Sequence, residues 1–251
     1  MKKKNLVTRR TAIITGVSSL GALLLNGCSK TSPPTYGNIL RMGDVFTYNA
    51  QRALLPGQSL VKEYNHGDIS SFPATGTTNP GDSASPYFSQ DYAGFQNNAF
   101  ANWRLKIEGS VSKPGYYSLA DLHRFPSKTQ ITRHTCEEGW TAIAEWTGVQ
   151  LSRVLQAAGI KQSARFVNFY AFDEYMESVD MLDAFHPQTI LAYGMNGRNL
   201  PLQHGAPLRV RIEKQIGYKS VKYLQRIVVT DEFVDNGYGK GFGGWSWYNG
   251  I

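Results

Sequence analysis

Two segments decide how this chain is read: His204-Gly205-Ala206-Pro207-Leu208-Arg209, running on through Val210-Arg211-Ile212, and Gly217-Tyr218-Lys219-Ser220-Val221-Lys222-Tyr223-Leu224. Leu208 to Ile212 alternates apolar and basic residues, the period of a strand with one buried face. The second segment follows as a glycine turn carrying further cations and a hydroxyl. Glycine lets backbone amides approach an anion, while Arg209 supplies a planar fork and Lys222 a point charge, a set suited to phosphate. The plain alternative is a solvated strand whose charges do nothing.

Upstream, Arg133-His134-Thr135-Cys136-Glu137-Glu138-Gly139-Trp140 places a thiol where a strand from Gln130 to Thr135 ends. Basic neighbours lower a thiol's pKa, and the thiolate is the form that ligates metal. A lone cysteine is also readable as a small buried hydrophobe.

The first thirty residues look like an address. Lys2 to Lys4 form a positive region ahead of the apolar stretch Thr11 to Leu25, which is too short to span a bilayer comfortably. Arg9 and Arg10 sit just before it, the pattern of twin-arginine export. Leu25-Asn26-Gly27-Cys28 resembles a lipobox, in which Cys28 is the lipidated residue that anchors the chain to a bacterial membrane on its periplasmic side. We therefore expect a leader over 1–28, a tether over 29–37 containing Pro33-Pro34, and one domain over 38–251. The compartment is oxidising, yet there are only two cysteines. With Cys28 committed to lipid, Cys136 is left without an intramolecular partner, so it is either buried and inert or bound to something.

The net charge of +7 invites a nucleic-acid reading. Five of the basic residues lie in 1–28, and the remainder of the chain holds 21 basic against 19 acidic residues. A balance of +2 gives no general attraction to phosphate backbones, so nucleic acid is not expected as a partner and basic residues act locally.

Glycine (25), proline (11) and aromatic residues at 12% suggest turns and short strands. Residues 38–100 lack periodicity, and the polar run Ser70 to Gly81 reads as a wrapping loop. Trp103 to Glu108 alternates as a strand, Ser118 to Asp121 has capping-box spacing before a short helix, and Leu151, Val154, Leu155 and Ala158 form one helical stripe. Arg165 to Phe172 and Val221 to Thr230 read as further strands. Strands with a few helices and no βαβ rhythm give an α+β class.

Taken in order, Trp103-x-Leu-x-Ile-x-Gly109, Cys136, His204-Gly-x-Pro-x-Arg209 and Gly217-Tyr-Lys-Ser-Val-Lys222 resemble the molybdopterin-binding domain of the sulfite oxidase superfamily, over about Ile69 to Phe233. The resemblance implies strand-rich mixed sheets around a molybdenum-molybdopterin cofactor, with Cys136 as the protein sulfur on the metal. It implies further that Arg209, Ser220 and Lys222, with Val221 beside them, hold the pterin's phosphate, and that His204 takes the place of the family's histidine or asparagine. Thr75 and Gly76 fall in the place of the family's first cofactor-contacting segment. Glu137-Glu138-Gly139-Trp140 resembles the bacterial reductase branch of the periplasmic methionine sulfoxide reductase catalytic subunits more than true sulfite oxidases. Where that branch carries a threonine, this chain has Ala171.

The expected activity is a molybdenum-dependent two-electron oxygen-atom or proton-coupled transfer on a small molecule, sulfoxide reduction first and sulfite oxidation as the alternative. Glu138 and His134 are candidates to move a proton near the metal, and each is equally readable as a structural hydrogen-bonding residue. Arg133 is a candidate to attract an anionic or polar substrate. No Cys-x-x-Cys-His haem site is present, so electrons are expected from a separate membrane or periplasmic haem or quinone protein. Two rivals stand beside this: a non-catalytic lipoprotein using the fold as a binding surface, and a Cys136/His134 hydrolase. The hydrolase lacks the third, orienting group such sites need.

Overall fold

A computed structural model of the chain describes residues 42–55, 59–76, 79–234 and 247–251. The expected leader, lipidation site and tether, and most of the aromatic tail from Gly237, lie outside the described residues.

Two helices begin the described chain, α1 (Met42–Leu54) and α2 (Gln90–Asn97). Then come β1 (Leu105–Gly109), β2 (Gly115–Tyr117), α3 (Leu119–His123), β3 (Ser127–Thr135), β4 (Thr141–Gln150), α4 (Leu151–Ala157), β5 (Phe166–Ala171) and β6 (Met176–Asp180). The remainder is α5 (Met181–Ala184), β7 (Ile190–Met195), β8 (Arg198–Asn199), β9 (Arg209–Arg211) and β10 (Leu224–Thr230).

The strands form two sheets, one mixed and one antiparallel. One has the order β2-β1-β10-β5-β6, with β1 and β10 parallel and the other neighbours antiparallel. The other runs β3-β4-β7-β8, with β9 also pairing to β7. Ile107, Val167, Phe169 and Ile227 from the first sheet and Val149, Leu191 and Val210 from the second share one buried apolar cluster. Strand-rich sheets with few helices are thus what the chain forms.

Local chemistry accounts for several elements. Ser118 accepts from the Asp121 amide while Asp121 accepts from the Ser118 amide at 2.9 Å, so both ends of the capping box close at the start of α3. Leu151, Val154, Leu155 and Ala158 are fully buried, as the stripe on α4 requires.

Three readings change. Residues 38–100 contain α1 and α2 as well as loop. Helix α1 docks through polar and aromatic groups, with Arg52 bound to Asp180 at 2.9 Å and Asp183 at 3.0 Å and Tyr48 packed edge-on to Tyr248, while its apolar Phe46 and Leu54 stay exposed. On α2 only Tyr92 is buried. The strand from Leu208 is buried on both faces, Arg209 and Arg211 included. Regular pairing begins only at Leu224, and Val221 to Tyr223 form the loop leading into β10.

Lys219 lies fully buried against Glu177, at 2.5 Å, and also donates to the Ser178 carbonyl. Removing one partner of such a pair leaves a buried charge uncompensated. Lys219→Met is expected to lower stability by about 3–5 kcal/mol, read as a fall in the urea midpoint, with part of the loss recovered when Glu177→Gln is added.

Candidate cofactor site

The β3–β4 hairpin, the loop 72–76 and the segment 204–222 meet around a cavity of about 300 Å³. Cys136 reaches it as the first residue past β3. His134 reaches it from the inward face of that strand, while Arg209 on β9 and the flanking residues His204, Ser220, Val221 and Lys222 line it from the other side. Thr75 and Gly76 complete that wall. Phe72 packs at 5.1 Å from His134, 5.5 Å from Trp140, 5.4 Å from Trp146 and 5.5 Å from His204, centroid to centroid, so one ring holds the wrapping loop down on the site.

Five cations stand within fourteen residues here, and, Lys214 apart, the fold treats them as two pairs. Arg211 binds Glu213 through two contacts, of 2.8 and 3.2 Å, and Lys219 binds Glu177. Arg209 and Lys222 meet no carboxylate at ion-pair distance among the described residues. Arg209 donates instead to the carbonyls of His204 at 3.1 Å and Ser220 at 2.8 Å, and its Nε has no partner. Lys222 donates to the Thr75 carbonyl and, at 3.4 Å, to that of Gln203. Burial first and the neighbouring Arg211 second push Arg209 down to about 9. Burial and then Arg209 push Lys222 down to about 8, with Asp173 acting the other way. Buried cations that repel one another and lack an acid form a receptor for an anion. The reading of idle, solvated charges does not hold.

Gly205 lets Lys222 lie where it does. Its φ is +102°, and a β-carbon there would stand 2.7 Å from Lys222 Cβ and 2.9 Å from its Cα. His204, beside it, has a buried Nδ1 without a partner and is held down to about 4 by burial and by Arg209 and Lys222. A neutral ring with a spare nitrogen, two cations without acids and a lone thiol fit a phosphorylated, metal-carrying organic group. Arg209, Lys222 and His204 would hold its polar parts, and Cys136 would supply the sulfur.

Cys136 is 7% exposed, and burial pushes its thiol up to about 11, helped by Glu137, whose Oε2 accepts from Sγ at 3.5 Å. The expected lowering by basic neighbours is absent because Arg133 points away and the near charge is an acid. A bound metal cation would draw off the thiol's proton. His134 lies well below the usual histidine range through burial and the charges of Arg211, Arg209 and Lys222. Arg211 has only donors, so its 2.5 Å contact makes His134 Nδ1 the acceptor and puts the ring proton on Nε2. Glu213 holds Arg211 in turn.

Two candidates are not brought to the cavity wall. Arg133 is exposed, because it stands one residue from His134 on a strand and faces the other side. Glu138 is exposed and accepts from Trp140 Nε1 at 2.8 Å. Glu137 lines the cavity instead. Ala171 lies in the apolar core, and Asp173 and Tyr175, just beyond it, reach the lining. Trp140, Asp173, Tyr175 and Tyr218 were not singled out from the sequence. Trp140 and Tyr218 carried a signal, their places inside the Arg133–Trp140 and Gly217–Lys222 motifs.

Residues 93–238 match the oxidoreductase molybdopterin binding domain. A chain of Azospira oryzae, whose name assigns it provisionally to a protein-methionine-sulfoxide reductase as subunit YedZ1, is 33% identical over 96% of this chain and 87% of its own length. The protein-methionine-sulfoxide reductase catalytic subunit MsrP of Campylobacter jejuni is 32% identical over 55% of this chain and 52% of its own, so this chain spans about half of that relative. The crystal structure of the sulfane dehydrogenase SoxCD from Paracoccus pantotrophus matches with a TM-score of 0.51 and 26% identity, over 54% of this chain and 40% of that one. The anion receptor, the lone thiol and these matches agree: the chain belongs to the oxidoreductase molybdopterin binding domain family of the sulfite oxidase superfamily and is a molybdenum-dependent oxidoreductase.

Proposed function

We propose that the chain reduces sulfoxides, with Cys136 as the protein ligand to molybdenum and Arg209 and Lys222 as the seat of the pterin's phosphate. The observation that carries this is a single cavity joining a lone thiol, two buried cations without carboxylate partners, and an acid, Glu137, beside the thiol. Sulfite, an anion, would meet the charge of Glu137. Arg133, which could have offset it, faces away from the cavity. A neutral sulfoxide carries no such penalty. The relatives named as methionine sulfoxide reductase subunits support the same choice.

The bound cofactor supplies the two-electron exchange of an oxygen atom. In the balance, a sulfoxide takes up two electrons and two protons and leaves as a thioether and water. His134 presents a neutral Nε2–H held in place through Nδ1 by Arg211, and so orients without adding charge. Phe72 and Trp140 narrow the mouth and exclude water from the polar contacts within. Thr75, Gly76, Ser220 and Val221 line the pocket with Lys222 and Arg209. Electrons come from a separate membrane or periplasmic haem or quinone protein. The chain leaves the cytoplasm folded, through the twin-arginine route, and is held at the membrane's periplasmic side by lipid on Cys28.

Cys136→Ser is expected to abolish turnover and remove molybdenum from the purified protein, by elemental analysis. Arg209→Leu with Lys222→Met is expected to lower retained pterin by about tenfold or more, as loss of charge-assisted phosphate contacts predicts. Wild-type protein that oxidises sulfite and reduces no sulfoxide with artificial electron carriers would overturn the assignment.

Lys222 is charged below about pH 8 and loses its charge above it. Binding of inorganic phosphate to cofactor-free chain, followed by calorimetry, is therefore expected to be strongest below pH 8 and to weaken as the pH rises through that value. Replacing Cys28 by Ser should move the mature protein from the membrane fraction to the soluble periplasm, read by fractionation and immunoblot.

A further inference from the structure

The five residues 136–140 close the β3–β4 hairpin as a fixed unit. The Cys136 amide donates to the Trp140 carbonyl at 2.9 Å, and the Gly139 amide donates to the Cys136 carbonyl at 3.1 Å. Gly139 has a φ of +88° with open space around it, so the loop needs glycine for its backbone conformation and not for lack of room. The thiol and the indole therefore leave the two ends of one closed turn, and both line the cavity. The indole is pinned on three sides. Glu138 accepts from its Nε1 at 2.8 Å, Phe72 meets it edge to face at 5.5 Å, and His134 lies tilted at 5.5 Å.

We propose that Glu138 is a positioning residue, acting through Trp140, and that the pair forms the outer wall that sets which substrates reach the space beside Cys136. Two carboxylates adjacent in sequence thus do different work: Glu137 faces the cavity, and Glu138, turned to solvent, holds the wall. A carboxylate bound to an indole N–H at the surface can be replaced by any acceptor of the same reach. A group that must give or take a proton cannot. The wall is ring-shaped and mostly apolar, so it favours the thioether-like substituents of a sulfoxide over a hydrated anion. This substrate preference rests on the sulfoxide reading, while the wall itself does not.

The test uses molybdenum-loaded enzyme with an artificial electron donor and a small dialkyl and a bulky aryl sulfoxide as paired substrates. Glu138→Ala and Trp140→Phe are each expected to raise KM for the better substrate by about tenfold, the usual scale for losing a charge-assisted contact that acts on binding, with kcat within about twofold. Both should narrow the ratio of kcat/KM between the two substrates. Glu138→Gln, which keeps an acceptor oxygen, is expected to restore wild-type values within about twofold. A second readout needs no turnover. In full-length chain produced without cofactor, alkylation of Cys136 by a bulky maleimide, quantified by peptide mass spectrometry, should quicken by about tenfold in Glu138→Ala and Trp140→Phe and stay unchanged in Glu138→Gln. A Glu138→Gln enzyme that loses kcat as fully as Glu138→Ala, or a Trp140→Phe chain whose thiol is no more accessible than before, overturns the proposal. If no sulfoxide is turned over by the wild type while alkylation follows the expected order, the sulfoxide reading fails and the wall stands.

Discussion

A buried positive charge needs a partner, and the structure between residues 209 and 222 is organised by who supplies it. Arg211 and Lys219 receive carboxylates from the fold itself, Glu213 and Glu177. Arg209 and Lys222 receive only backbone carbonyls, and each is held below its ordinary pKa. Desolvating a cation without a counter-ion costs several kcal/mol, so the free protein carries that cost and an anion in the cavity offsets it. Cofactor binding and folding stability are therefore linked through the same two side chains. The paired cations also have a task in the site: Arg211, fixed by Glu213, selects the tautomer of His134.

How much of this could be read in the residues depends on whether a local rule governed each one. The stripe on α4 and the capping box at Ser118 are set by spacing alone, and both formed as spacing dictates. The order of the glycine-bearing motifs marked the phosphate-like end of the cavity, because glycine and cations at short range are visible in one dimension. Alternation along β3 already separated Arg133 from His134, since neighbours on a strand face opposite ways. Treating both as site residues set that rule aside.

Other features follow from contacts distant in sequence. Helix α1 docks through Arg52 on Asp180 and Asp183, more than a hundred residues away, and leaves its apolar Phe46 and Leu54 exposed. Which of Glu137 and Glu138 faces the cavity is decided by the turn that Gly139 permits, not by composition. The thiol's state is likewise a property of the folded surroundings. Basic letters beside Cys136 predicted a lowered pKa, and burial with Glu137 raised it.

The strand order of the first sheet carries a consequence for how the protein is made. Strand β1 lies between β2 and β10, and its parallel partner β10 is the last strand among the described residues, with Ile107 opposite Ile227. A nascent chain emerging from the ribosome can form the β3–β4 hairpin as soon as both strands are out, because they are local. It cannot seat Lys222 against Thr75 until residue 222 has been made, or complete the first sheet until β10 has followed. A cofactor held at this site accordingly waits for residues far apart in the chain, since the lining runs from Phe72 to Lys222.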